Sequence, residues 1–109
     1  VEKNREEVIA HYCITRADLP HGVKAAQLIH AAGESSPGNV HSGTFAFALV
    51  TKTEEELKAL GWELFKAGIP HKLIFEPDAP WTGQLMAIGV VPGPRKKLRK
   101  YFSNFPLLK

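Results

Sequence analysis

Thr44 to Thr51 (TFAFALVT) is a run with no charged side chain, polar only at its terminal threonines. So apolar a run is expected to form a strand covered on both faces, and covering both faces of a sheet takes helices on either side of it. The residues that follow supply one. In Thr53-Glu54-Glu55-Glu56 the Thr53 hydroxyl can accept from the Glu56 N–H while the Glu56 side chain reaches back toward the cap, and acidic residues in a first turn suit the helix dipole. Leu57, Leu60, Leu64 and Phe65 then recur on one helical face, and Gly68 with Pro70 beyond it ends the helix. A strand that needs cover, followed at once by a helix able to provide it, points to an α/β fold.

The rest of the chain extends this alternation. Glu7 to Thr15 reads as a strand, and Arg16 to Gly22 as a turn. Val23 to Glu34 is rich in strong helix formers, and Ser35 to Gly43 is a loop by composition. His71 to Phe75 and Gln84 to Val91 read as two further strands, separated by the loop Glu76 to Gly83. Gly93-Pro94 opens a basic helix, RKKLRKYF, with Pro94 in its first turn. The tail from Ser103 returns to apolar residues at Phe105, Leu107 and Leu108 and is expected to pack back on the body. The order β-α-β-α-β-β-α predicts helices on both faces of a four-stranded, largely parallel sheet, with one strand reversed after the direct β-β link. With no internal repeat, residues 1–109 read as a single domain.

Composition narrows the function classes. Apolar runs such as Phe45 to Val50 fall far short of the roughly 20 residues of a membrane span, and the mostly polar and charged start, Val1 to Glu7, is not that of a signal sequence. The single cysteine, Cys13, has no internal disulfide partner and lies in an apolar strand pattern. A buried, inert thiol in a reducing compartment, the cytoplasm by default, is the expectation. The five histidines (His11, His21, His30, His41 and His71) form no H-x-H, H-x-x-H or Cys/His pair, so no metal site is expected. Neither G-x-G-x-x-G nor G-x-x-x-x-G-K-[ST] occurs, although Gly22 precedes a helix start whose free N–H groups can receive an anion.

The net charge of +3 conceals a division. Residues 1–78 carry 8 Lys/Arg and all 11 Asp/Glu, a net −3, whereas residues 79–109 carry 6 Lys/Arg and no acid, a net +6. A cationic last third suggests a polyanionic partner met by Arg95, Lys96 and Arg99; the same charges also describe a solvated helix face.

Two segments could carry chemistry. On the first helix Val23, Gln27, His30 and Glu34 share one face by spacing, placing Gln27 and His30 as hydrogen-bonding groups in an Ala/Leu/Ile helix. The simpler alternative is a polar stripe facing water. The loop Glu76 to Gly83 holds Glu76, Asp78, Trp81 and Thr82 just past a strand end, where α/β sheets usually place function. Its simpler alternative is a rigid proline turn with solvated acids.

These residues carry a resemblance. Arg16-x-Asp18-Leu19, Gly22-x-x-Ala25-Ala26-Gln27-x-x-His30-Ala31, Glu55-Glu56-Leu57-x-x-Leu60, Ala87-Ile88-Gly89 and Pro106-Leu107-Leu108-Lys109 resemble, in order and over nearly the whole chain, the archaeal and eukaryotic (second) type of peptidyl-tRNA hydrolase. The resemblance implies a three-layer α/β/α fold with a mixed four-stranded sheet, often dimeric, and metal-free, cofactor-free hydrolysis of the ester joining a peptide to tRNA. Gln27 and His30 match that pattern outright, and its acidic residue falls on Glu76. Its lysine position is Val23 here, with Lys24 one place later. Its two downstream threonines have no exact match, since Gln84 takes the second position and Thr82 lies nearby. The implied roles are Glu76 orienting or deprotonating water, Lys24, His21 or His30 stabilising the oxyanion or a phosphate, and the basic segment gripping tRNA. The alternative is a non-catalytic domain of the same fold that binds RNA or a protein.

Overall fold

The computed structural model describes residues 8–109. Its elements are β1 (Ile9–Arg16), α1 (His21–Ser35), β2 (Phe45–Thr51), α2 (Glu54–Lys66), β3 (His71–Phe75), β4 (Leu85–Val90), the two-residue β5 (Gly93–Pro94), α3 (Arg95–Leu98) and a 3-10 turn (Arg99–Tyr101). The expected first residue of the first strand, Glu7, lies outside the described residues.

The sheet is mixed, in the order β2-β1-β4-β3, and β5 adds to β1 at Ile9 and Ala10. Among the four long strands only β4 is reversed, as its direct link to β3 requires. Because β4 lies between β1 and β3, both of its pairings are antiparallel and β1–β2 is the one parallel pair of the four long strands. "Largely parallel" thus holds for strand direction and not for the ladders.

Side chains alternate along β1 and feed two cores. Ala10, Tyr12 and Ile14 pack with Leu57, Leu60 and Leu64 of α2 and with Leu98 and Phe102, whereas Cys13 packs with Ala31 of α1, Ile74 and Ala87. The helices therefore cover opposite faces in three layers. The α1 layer sits close because β4 has glycine beneath it: a Cβ on Gly89 would run into the Ala31 carbonyl oxygen and lie 2.6 Å from Ser35 Oγ. This close approach is a physical reason for glycine in Ala87-Ile88-Gly89.

Several expectations change. β2 is an edge strand, and its first half is not doubly buried: Phe45 is 54% exposed. The C-terminal tail partly covers that edge, with Val50 N–H donating to Pro106 O and Leu108 N–H to Ala48 O. Thr53 caps α2 as expected, accepting from Glu56 N–H, while the Glu56 carboxylate accepts from the Lys52 N–H. Gly68 takes φ +71° past the helix end. Phe65, expected on the buried face, points outward, whereas Leu57, Leu60 and Leu64 are buried. The basic helix is shorter than read, one α-turn continued by a 3-10 turn, and Pro94 belongs to β5 and precedes the helix.

Candidate active site

The end of β1, the start of α1, the exit of β3 and the entry of β4 meet in a polar cluster. Arg16, the last residue of β1, is its hub. The guanidinium grips Asp18 with two hydrogen bonds of 3.0 Å and donates to Gln84 Oε1 at 2.7 Å. Asp18 is thereby held below the usual carboxylate range, first by the Arg16 hydrogen bond, with the Arg16 and Lys24 charges assisting. A turn in which Leu19 N–H donates to Arg16 O leads to Pro20, the N-cap of α1, which offers no side-chain cap. Gly22 consequently lies inside the first turn of α1, and His21 beside it is exposed.

The buried face of α1 is Lys24, Gln27, Ala31 and Ser35. It is rotated by about 70° from the face expected, at 100° per residue. Lys24, displaced by one place from the motif's lysine position, thus lies on the same face as Gln27, and its ammonium donates to the Ala17 carbonyl at 3.3 Å. Val23 is half-buried, while His30 and Glu34 are exposed. His30 is not brought to the cluster, because it falls three residues beyond Gln27 on the side turned from the sheet.

Gln27 Nε2 donates to Glu76 Oε1 at 3.0 Å, joining α1 to the exit of β3. Glu76 is half-buried, and its other oxygen accepts from the Asp78 N–H at 3.3 Å. Its backbone anchors the loop: Glu76 N–H donates to Gln84 O, and Gly83 N–H to Glu76 O. Asp78 and Thr82 are exposed on that loop, and Trp81 is half-buried, its carbonyl accepting from Gln84 N–H. Lys24 and Glu76 do not form an ion pair within 4.0 Å; among the described residues the pairs are Arg16–Asp18, Lys58–Glu54 and Lys66–Glu63.

Spacing alone does not mark Arg16 or Gln84 as site residues. The available signal was Arg16-x-Asp18 at a strand end, which lets both side chains meet beyond the last ladder pair. Glu54 belongs to the same region: its carboxylate accepts from Leu85 N–H at 2.9 Å, which lowers its pKa, with Lys58 and Arg16 as secondary causes.

A second polar group is buried beneath α1 and looks superficially catalytic. Ser35 Oγ donates to the Ala31 carbonyl at 2.7 Å and lies 2.7 Å from His11 Nε2, so both polar side chains are satisfied within the protein. Both groups are buried, so the pair is a structural contact and not a site open to substrate. Burial lowers the His11 pKa and pushes the Cys13 thiol up to about 11, as expected of an inert cysteine.

Arg95, Lys96 and Arg99 lie elsewhere. α3 follows β5, which pairs with the first residues of β1, whereas Arg16 is its last. Eight residues of strand separate these ends by about 23 Å. Among the described residues no group of His, Cys, Asp and Glu could hold a metal ion, and no helix is long and apolar enough to cross a membrane. No protein-family model matches the chain, and no curated protein matches it.

Proposed function

We propose that the polar cluster hydrolyses the ester of peptidyl-tRNA. The observation that carries this reading is the Gln27–Glu76 hydrogen bond, which unites two separated parts of the motif at one point, with Lys24 on the same buried face of α1. A carboxylate offers about four lone-pair positions, so Glu76 retains acceptor capacity for a water beside the bonds from Gln27 and Asp78. That water adds to the acyl carbon and yields its proton through Glu76; the ester C–O bond breaks, and the proton passes to the departing ribose oxygen. Such a base supplies roughly 10²- to 10⁴-fold. Lys24 has two further N–H donors beyond the one on Ala17, and the uncapped start of α1 at His21 and Gly22 presents backbone N–H groups to an oxyanion or phosphate.

Arg95, Lys96 and Arg99 would then contact tRNA remote from the ester. The reading also carries a homodimer, for which exposed Trp62, Phe65, Leu73 and Phe75 offer an apolar surface on α2 and edge strand β3; sedimentation velocity tests it. The second reading, a binding domain without catalysis, is favoured by one observation: Lys24 donates to a backbone carbonyl and makes no ion pair with Glu76. Incubation with an N-acetylated aminoacyl-tRNA separates the two. Release of free tRNA supports hydrolysis; intact substrate at high protein concentration, with tRNA still bound, leaves the binding domain.

A further inference from the structure

We infer that the groove beneath the basic segment is a binding site for single-stranded nucleic acid. It is an open groove of about 590 Å³. Arg95, Lys96, Arg99 and Lys100 line it, all four exposed, and the described lining residues include no carboxylate. Leu98 and Phe102 explain this display: both are buried in the α2-side core, so the short helical turn is clamped by its apolar residues and its cations project to the open side.

The floor of the groove is aromatic. Phe102 stacks on Tyr12 at 4.4 Å between centroids and Tyr12 on Phe47 at 4.8 Å, a column running from the core to a half-buried ring. Arg95 sits over that outer ring, its guanidinium carbon 5.3 Å from the centroid, and Lys100 lies 5.4 Å from the Tyr101 ring. Tyr12 and Phe102 are buried and Phe47 lies between Tyr12 and Arg95, so the plane open to a base is the outer face of the Arg95 guanidinium, backed by the Phe47 ring. Cations bordering such a stacking plane are a means by which proteins hold unpaired nucleotides. An acidic peptide would use the charges and not the rings, and a duplex keeps its base faces stacked internally. The cationic run is bounded near Lys100, where the adjoining hollow is lined by Glu56 and Glu63 of α2. Arg95, Lys96 and Arg99 therefore form the groove's most cationic part.

This inference rests on the polyanion part of the proposed function and is independent of its ester chemistry. Fluorescence anisotropy with a short fluorescein-labelled oligouridylate, which contains no acyl ester, tests it on the whole chain. Binding is expected to weaken with salt, each phosphate contact contributing about 0.7 to the log–log slope. Replacing both Arg95→Gln and Arg99→Gln, exposed positions outside either core, should lower that slope by about 1.4. Phe47→Leu keeps an apolar side chain and removes the ring that backs the Arg95 guanidinium; loss of the base stacked on that guanidinium predicts about fivefold weaker binding or more. The inference is overturned by no binding at low salt, by unchanged affinity in the double arginine variant or in Phe47→Leu, or by a matching duplex, polyglutamate or phosphatidylserine vesicles binding equally tightly. Any of these leaves the tRNA-release assay free to succeed.

Discussion

The two ends of β1 solve opposite electrostatic problems. At the C-terminal end, Arg16, Asp18, Lys24, Gln27, Glu76 and Gln84 bring both signs of charge together, and hydrogen bonds link Arg16 to Asp18 and Gln84, and Gln27 to Glu76. At the N-terminal end the cations Arg95, Lys96, Arg99 and Lys100 are exposed around an open aromatic groove. Preorganised groups of mixed charge suit chemistry on a small reacting centre, whereas a one-signed, solvated surface suits capture of a long anion. The two places lie about 23 Å apart along one strand.

Breaking one end at a time tests this division. The largest effect is expected from Glu76→Gln, which keeps a side chain able to meet Gln27 but removes the proposed base: tRNA release should slow by roughly 10²- to 10⁴-fold in single-turnover kinetics, and tRNA binding should persist. Next is Gly89→Ala. Its methyl group has no space beneath the Ala31 carbonyl, so α1 must shift, at about 3 kcal/mol measured by urea denaturation. Since α1 carries Lys24 and Gln27, activity should fall at temperatures where the variant remains folded, while oligonucleotide binding survives.

Substituting Arg95, Lys96 and Arg99 together by Gln should weaken tRNA binding at low salt by about tenfold and flatten its salt dependence. Equal affinity would make these residues a solvated face. The smallest effect concerns His11, which belongs to neither end. Its folded pKa lies below the unfolded value of about 6.5, so the unfolded chain takes up a proton first as pH falls. Its contribution is present above about pH 6.5 and is lost as pH drops through the lowered folded value. His11→Asn should flatten the decline in urea midpoint over that range; an unchanged decline would assign it to other groups.

What was legible in the sequence follows from how local each cause is. α2 is set by a cap and a leucine spacing inside one segment, and both were readable. Which face of α1 is buried depends on its contacts with β1, β3 and β4, so spacing alone puts His30 on a functional face and Lys24 one place out of position. The double burial expected of β2 failed because its apolarity does not show which strand ends at an edge. Arg16 is not legible as a hub because its partner Gln84 is remote in sequence and adjacent only through the β1–β4 pairing.

The division of labour itself is tested most directly by kcat and KM for tRNA release, measured on one peptidyl-tRNA preparation with Glu76→Gln and with the triple variant of Arg95, Lys96 and Arg99. The account predicts that Glu76→Gln lowers kcat with little change in KM, whereas the triple variant raises KM and spares kcat. An unchanged kcat in Glu76→Gln, or an equal loss of kcat in the triple variant, would contradict it.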